Sequence, residues 1–357
     1  MKIAVDYQSV RGKKTGIGVA AQNLVEAIRE EAPEIEWLFY SRPKDDLSAP
    51  ERIFWESIEL PLKTWIDKPD FLYSPGFAPP ILGSVPSVVT VHDLIGIAFP
   101  GNQRGFSAFY WSVWLPAAVR RARKVIASSE WTRRGIEKYL KVPAGRVSVV
   151  PLGVDAAFKK AGELSDIASV LARQRIEPPF LISVGTLEPR KNHLCLLRAY
   201  DMLRQRGKNR FSLVIVGKDG GTQRLLRAFV KERGLERNVR LLGYIDRREL
   251  VALYNAAWGY VMISLYEGFG LPALEAMSCG VSGICSNRTS LPEVVGDTAI
   301  LVDPENAGEI ADAMDRFCED SLLRNRLSKD AWERSKQFSM TRCARQMVEI
   351  FKNEIQE

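Results

Sequence analysis

The stretch that decides the fold is Gly259-Tyr260-Val261-Met262-Ile263, then Ser264-Leu265-Tyr266, then Glu267-Gly268-Phe269-Gly270-Leu271-Pro272-Ala273-Leu274-Glu275. Residues 259–263 form a near-continuous apolar run, the pattern of a parallel strand buried on both faces. In the string that follows, Gly268 and Gly270 allow a tight turn and close approach of a ligand to the backbone. Pro272 falls in the first turn of a helix starting near Leu271, where its missing N–H is tolerated. Strand, glycine loop and helix in this order form half of a strand–helix–strand unit.

Working outward, the same alternation runs the length of the chain. Apolar runs predict strands at 2–6, 36–40, 71–73, 87–92, 124–128 and 147–150, and again at 180–184, 212–216, 239–242, 259–263, 281–285 and 299–302. Helical patterns fall near 18–30, 106–122 and 131–140 in the first half. In the second they fall near 192–206, 222–234, 247–256, 271–278, 307–318, 322–336 and 341–354. The break between Val150 and Phe180, rich in proline and polar residues, separates the two series. The expected fold class is α/β: two Rossmann-like, doubly wound parallel-sheet domains, residues 1–165 and 166–337. Ligands in such sheets sit at the carboxyl ends of strands, so a cleft between the domains is the expected site. Gly283 is expected to weaken its strand.

Composition bounds the function. The chain has 357 residues, 46% hydrophobic and 26% charged, which excludes general disorder. No apolar run approaches the ~18 residues of a membrane-spanning helix, and Met1–Asp6 reads as a first strand rather than a signal peptide, so a cytoplasmic location is expected. The five cysteines are scattered and never spaced as CxxC, and only His92 and His193 are histidines, so neither a disulfide framework nor a metal centre is expected. The net charge of +7 is concentrated between residues 101 and 150, where ten basic residues face two acidic ones. That asymmetry points to an anionic partner: a membrane surface, a phosphate-bearing substrate or nucleic acid. Nucleic acid is disfavoured, because no stacking platform or nucleic-acid motif accompanies the charge.

Five groups of residues are candidates for chemistry. In the 267–275 string, the helix N-terminus suits a phosphate or sugar hydroxyl. Glu267 and Glu275 flank it, one placed to face a sugar and the other a ribose. The second group, Val184-Gly185-Thr186-Leu187-Glu188-Pro189-Arg190-Lys191-Asn192, ends a strand with two adjacent cations able to neutralise a pyrophosphate, or simply a basic surface turn. Gly16 and Gly18 in Thr15-Gly16-Ile17-Gly18 form part of a phosphate loop or a plain βα turn. His92 ends strand 87–92, where it either reaches a ligand or is satisfied within a packed site, and His193 is read only as a helix-start residue. Phe109–Leu115, followed by Arg120, Arg121, Arg123 and Lys124, is either a core helix with a basic last turn or a bilayer-surface element.

Together these motifs resemble the retaining, nucleotide-sugar-dependent glycosyltransferases of family 4, which have the two-domain GT-B fold. The resemblance covers essentially the whole chain: TGIG (15–18), VHDL (91–94), SSEWTRRGI (128–136), VVPLGVD (149–155), VGTLEPRKNH (184–193), LYNAA (253–257), EGFGLPALEAMSCG (267–280) and SLPEVVGDTAILVDP (290–304). It implies that Glu267, with the backbone N–H groups of Phe269 and Gly270 at the start of the Leu271 helix, touches the donor sugar. Glu275 would take the ribose hydroxyls, and Arg190 and Lys191 the diphosphate. Gly16 and Gly18 would let a loop approach donor and acceptor, and His92 would lie near the sugar. No metal and no resident cofactor are implied. The donor favoured is GDP-mannose, and the acceptor is a lipid-linked or polysaccharide glycan in surface-glycan or lipopolysaccharide synthesis. The protein would work on the inner face of the cell membrane, with residues 104–124 against an anionic bilayer and the segment from about 338 packed back on the first domain. Departures from the family pattern are Val19-Ala20 after TGIG, residues 281–285 and Met340. A sugar-nucleotide epimerase or phosphorylase of the same fold, or a non-enzymatic nucleotide-binding protein, are the competing readings.

Overall fold

Each apolar run named above coincides with a strand to within two residues at either end. β1 (Lys2–Asp6), β2 (Glu36–Tyr40), β3 (Phe71–Ser74), β4 (Ser87–Val91), β5 (Lys124–Ala127) and β6 (Val147–Val149) form one sheet in the order β2-β1-β3-β4-β5-β6, with every pairing parallel. β7 (Phe180–Val184), β8 (Ser212–Val216), β9 (Val239–Gly243), β10 (Gly259–Met262), β11 (Gly283–Ser286) and β12 (Ala299–Val302) form a second parallel sheet, β12-β11-β10-β7-β8-β9. The computed structural model describes residues 1–11, 16–76, 78–99, 105–162, 166–208 and 210–356.

The absence of polar alternation has the expected cause. In β8, Leu213 and Ile215 enter one core with Leu196, Leu197 and Phe317, while Val214 and Val216 enter another with Leu253, Tyr254 and Met277. Both faces of the strand are covered by helices, so both side-chain sets are apolar. The sheet orders reverse direction between β1 and β3 and between β7 and β10. At such switch points the loops leaving neighbouring strands diverge and open a ligand crevice at the strands' carboxyl ends.

The chain divides into a first unit, Met1–Gly153 with Ser339–Glu357, and a second, Val154–Phe338. It therefore crosses twice. At the first crossing a Cβ on Gly153 would lie 2.4 Å from the Met340 Cα, so only glycine lets the two chain segments of the first unit pass. The final helix, Met340–Gln356, packs on the first sheet through Phe351, whose ring lies 5.1 Å from those of Phe71 and Tyr73. Glu354 of that helix pairs with Arg123 at 3.1 Å and with Lys124 at 3.7 Å, so two cations of the basic segment have an internal partner.

Two local expectations are corrected. The strand read at 281–285 begins at Gly283, where a Cβ would sit 1.9 Å from the Tyr260 carbonyl oxygen. That glycine is required by the close approach of β10 rather than being a weak point. A helix unmarked in the sequence runs from Ala49 to Asp67, with Pro50 in its first turn, a π turn at Trp55–Glu59 and Pro61 directly after that turn.

Candidate active site

The loops leaving β7 and β10, at the switch point of the second sheet, carry a cluster of charged side chains. After β7, a Cβ on Gly217 would lie 1.9 Å from the Gly185 carbonyl oxygen, and one on Gly185 would press on the Lys191 side chain at 3.1 Å. The backbone turns through the short 3-10 helix Pro189–Lys191, and Asn192, left-handed at φ 61°, redirects the chain into the helix His193–Gln205. The Asn192 side-chain amide donates to the Pro304 carbonyl at 2.6 Å, tying this loop to the end of β12.

After β10, Glu267 meets that loop. Its carboxylate pairs with the Lys191 ammonium, accepts from Arg190 Nη1 at 3.1 Å and accepts the Ser264 hydroxyl at 2.7 Å. Arg190 holds Glu188 at 2.7 Å and donates to the Tyr266 carbonyl at 3.1 Å. Burial opposes ionisation of Glu267, but the two cations and the hydrogen bonds from Lys191 and Ser264 outweigh it, and its pKa lies below the ordinary carboxylate value. The sequence assigned Glu267 to a sugar and the cations to a diphosphate. The structure brings all three together, with Lys191 only 8% exposed.

Phe269 is buried, with its ring 5.9 Å from that of Phe338. Gly270 stands at φ 114° before the helix Leu271–Ser278, and a Cβ there would lie 2.6 Å from Leu291 Cδ2. Glu275 lies one turn inside this helix, partly open, and its carboxyl accepts from the Tyr254 hydroxyl at 3.4 Å. Burial pushes its pKa up to about 7, against the opposing hydrogen bond from Tyr254. The two glutamates of one motif are thus tuned in opposite directions, Glu267 held ionised and Glu275 poised near neutrality.

In the first unit, Gly16 opens the helix Gly16–Glu31 with Gly18 in its first turn, and Thr15 lies outside the described residues. His92 follows β4, buried, with Nε2 2.7 Å from the Pro75 carbonyl oxygen. That contact requires a proton on Nε2, which leaves Nδ1 as a buried acceptor with no hydrogen-bond partner among the described residues. Burial lowers the His92 pKa, so the ring is neutral. It lines a cavity of about 50 Å³ with Gly76, Asp93, Tyr110 and Trp111. His193, read only as a helix-start residue, is buried beside the cation cluster, and burial with the charge of Lys191 drives its pKa down to about 3.

Comparison with known proteins decides the family. Residues 172–334 match the family described as Glycosyl transferases group 1, and residues 16–158 match Glycosyltransferase Family 4. The chain belongs to these glycosyltransferases. It is 32% identical over 266 residues to the Escherichia coli O-antigen chain mannosyltransferase B, covering 74% of this chain and 70% of that one. A Campylobacter jejuni N-acetylgalactosamine-N,N'-diacetylbacillosaminyl-diphospho-undecaprenol 4-alpha-N-acetylgalactosaminyltransferase is 31% identical over 48% of this chain and 46% of its own. Among solved structures, Anabaena Alr3699/HepE in complex with UDP-glucose superposes with a TM-score of 0.77 at 18% identity, covering 99% of this chain and all of that one. The fold is GT-B.

Sequence reading missed several residues that shape this cluster. Ser264 and Thr289 hold Glu267, the first through the carboxylate and the second by accepting the Glu267 backbone N–H at 3.2 Å. The Ser290 hydroxyl donates to the carbonyls of Glu267 and Phe269 at 3.0 and 2.9 Å, fastening the glycine loop. The one signal available was Ser290-Leu291-Pro292-Glu293, a helix start, which says nothing about where its hydroxyl points. Among the described residues no helix is long and apolar enough to cross a membrane.

Proposed function

We propose that this glycosyltransferase moves mannose, with retention of configuration, from GDP-mannose to a hydroxyl of a lipid-linked or growing surface glycan. The observation that carries the reading is the Arg190–Lys191–Glu267 cluster at the β7/β10 switch point, two cations and one carboxylate preorganised where the sheet opens. In this reading the donor diphosphate takes over Arg190 and Lys191, and Glu267 turns its freed oxygens to the sugar hydroxyls. The backbone at Phe269 and Gly270 borders the sugar, and Glu275, ionised, accepts the ribose hydroxyls. The bond from the anomeric carbon to the diphosphate oxygen breaks as the acceptor oxygen bonds to the same face. The acceptor proton passes to a diphosphate oxygen, and the growing charge is stabilised by Arg190 and Lys191 without a divalent metal. His92 Nδ1 offers an acceptor to a hydroxyl of the glycan, and Gly16 and Gly18, in the first turn of their helix, leave space for the acceptor by carrying no side chain.

Mannose is supported by the E. coli mannosyltransferase relative, and a lipid-linked acceptor by the undecaprenol-linked substrate in the C. jejuni relative's name. The test is transfer from GDP-mannose to a mannosylated lipid-linked oligosaccharide in the presence of a chelator, with the new linkage assigned by NMR. An α-mannoside supports the reading. A β-mannoside, or loss of transfer on chelation, overturns retention or metal independence respectively.

A further inference from the structure

Among the described residues five non-glycine positions have a left-handed backbone: Lys68, Lys141, Arg175, Asn192 and Thr289. Lys68, Lys141 and Arg175 each stand just past the end of a helix, where that conformation closes the last turn. Asn192 redirects the chain into the helix His193–Gln205, and asparagine tolerates the conformation. Thr289, at φ 60°, has neither reason. It follows β11 and precedes Ser290, which stands ahead of the short helix Leu291–Val295, so it closes no helix. Of the five it alone has a branched Cβ, and for such a residue a left-handed backbone is an outlier.

The chain on either side fixes that conformation. Before it, the Asn287 N–H donates to the Val302 carbonyl at 2.9 Å, and Arg288 pairs with Asp303 at 2.8 Å and with Glu305 at 2.7 Å, which ties the loop to the end of β12. After it, Ser290 and Leu291 are buried, the latter against Gly270. Strain of this kind persists only where neighbours over-determine it, and it gathers at functional sites. A glycine would sit here unstrained; what threonine adds is a hydroxyl. That hydroxyl accepts the Glu267 backbone N–H at 3.2 Å, while the next one, on Ser290, donates to the Glu267 carbonyl at 3.0 Å. Two consecutive residues hold both polar groups of the Glu267 main chain. Branching restricts χ1, so the Thr289 hydroxyl is held more firmly than a serine hydroxyl would be.

We infer that Thr289 is a positioning residue for the transfer: it fixes the backbone pivot about which the Glu267 carboxylate turns from Arg190 and Lys191 to the donor sugar, which rests on the sugar-facing role proposed for Glu267. The carboxylate must leave its two cations when a diphosphate takes them. A side chain that turns on a fixed Cα meets the sugar in one place, whereas on a loose Cα it meets the sugar in several, and only the first is preorganised for transfer. The strain at Thr289 is kept because no unstrained residue supplies both the left-handed turn and the fixed hydroxyl.

Hydrogen–deuterium exchange of the free protein tests the pivot without any donor. The Glu267 amide should exchange at least about fivefold faster in Thr289→Gly and little faster in Thr289→Ser. The melting temperature of Thr289→Gly should stay within about 2 °C of the wild type or rise, because relief of the left-handed threonine offsets the lost hydrogen bond. Diphosphate release is then followed for the three proteins with whichever of GDP-mannose, UDP-glucose and UDP-N-acetylglucosamine the wild type uses. Thr289→Gly should lose about tenfold in kcat with its donor KM within about twofold, and Thr289→Ser should recover to within about threefold of wild type. A wild type that uses another donor than GDP-mannose overturns the donor proposed and leaves the role of Thr289 standing; if it uses none of the three, the exchange result alone decides. Unchanged exchange at Glu267 in Thr289→Gly, an unchanged kcat, or a Thr289→Ser variant as slow as Thr289→Gly overturns the inference. So does a larger fall in the melting temperature of Thr289→Gly, which makes the residue a structural brace.

Discussion

Replacing Glu267 with glutamine keeps the shape of the side chain and removes the charge that Lys191 and Arg190 both face. Losing one partner of a buried ion pair typically costs ~3–5 kcal/mol, because the other charge stays buried and uncompensated. Here the loss is smaller, because Arg190 keeps Glu188 at 2.7 Å and a glutamine oxygen still accepts from Lys191. We expect ~2–3 kcal/mol, which lowers the melting temperature of the second unit by roughly 4–12 °C. The sign then reverses for ligand. In the proposed site the carboxylate competes with the donor diphosphate for the two cations, so Glu267→Gln should bind GDP about tenfold more tightly, ~1.4 kcal/mol, and GDP should raise its melting temperature more than that of the wild type. Turnover should fall by about 10² because the sugar loses its charged partner. Differential scanning fluorimetry and calorimetric titration with GDP read both quantities. A variant as stable as wild type, or one that binds GDP more weakly, would show that Glu267 does not hold the two cations against a diphosphate.

Glu275 should make nucleotide binding depend on pH. Its folded pKa of about 7 lies above the unfolded value, so the protonated form is favoured in the free protein, and the stability this contributes at low pH is lost as pH rises through 7. Ribose hydroxyls need the carboxylate as acceptor, so GDP affinity should rise from pH about 6 to 8 and flatten in Glu275→Gln, measured by calorimetry at each pH. Glu275→Ala should weaken GDP binding by roughly 1.5–3 kcal/mol; native affinity in that variant counts against the ribose role. Lys191→Ala should lower turnover by about 10²–10³, and a raised donor KM at constant kcat would show that the lysine only binds. Phe351→Ala should destabilise the first unit by about 3–5 kcal/mol by emptying the space against Phe71 and Tyr73, read from chemical denaturation.

The strands were legible because burial on both faces leaves an apolar run that no surface helix imitates, as at Leu213–Val216. The helix Ala49–Asp67 was not, because Phe54, Ile58 and Leu62 on its outer side are as apolar as Trp55 and Leu60 on its inner side. That erases the 3.6-residue contrast, and Pro50 and Pro61 read as breakers although Pro50 sits in the first turn and Pro61 directly after the π turn. Gly283 looked like a defect because its reason, the Tyr260 carbonyl, lies on another strand. At the site, the Arg190-Lys191 pair and the Glu267 string were each visible as local signals. Their joining was not, since it follows from β10 pairing with β7 across about eighty intervening residues. Ser264 and Thr289 carry no local signature at all, and only the folded loop shows that their hydroxyls serve Glu267.

Arg190, Lys191 and Glu267 are proposed as the diphosphate end of a nucleotide-sugar site. Its most direct test is calorimetric titration of the wild type and of Lys191→Ala with GDP, UDP, ADP and dTDP, each compared with its nucleoside monophosphate. One diphosphate, GDP, is expected to bind clearly better than the others and better than its monophosphate, and this advantage of the second phosphate is expected to disappear in Lys191→Ala. Equal affinity for mono- and diphosphate, or an advantage that survives in Lys191→Ala, would contradict the proposed role.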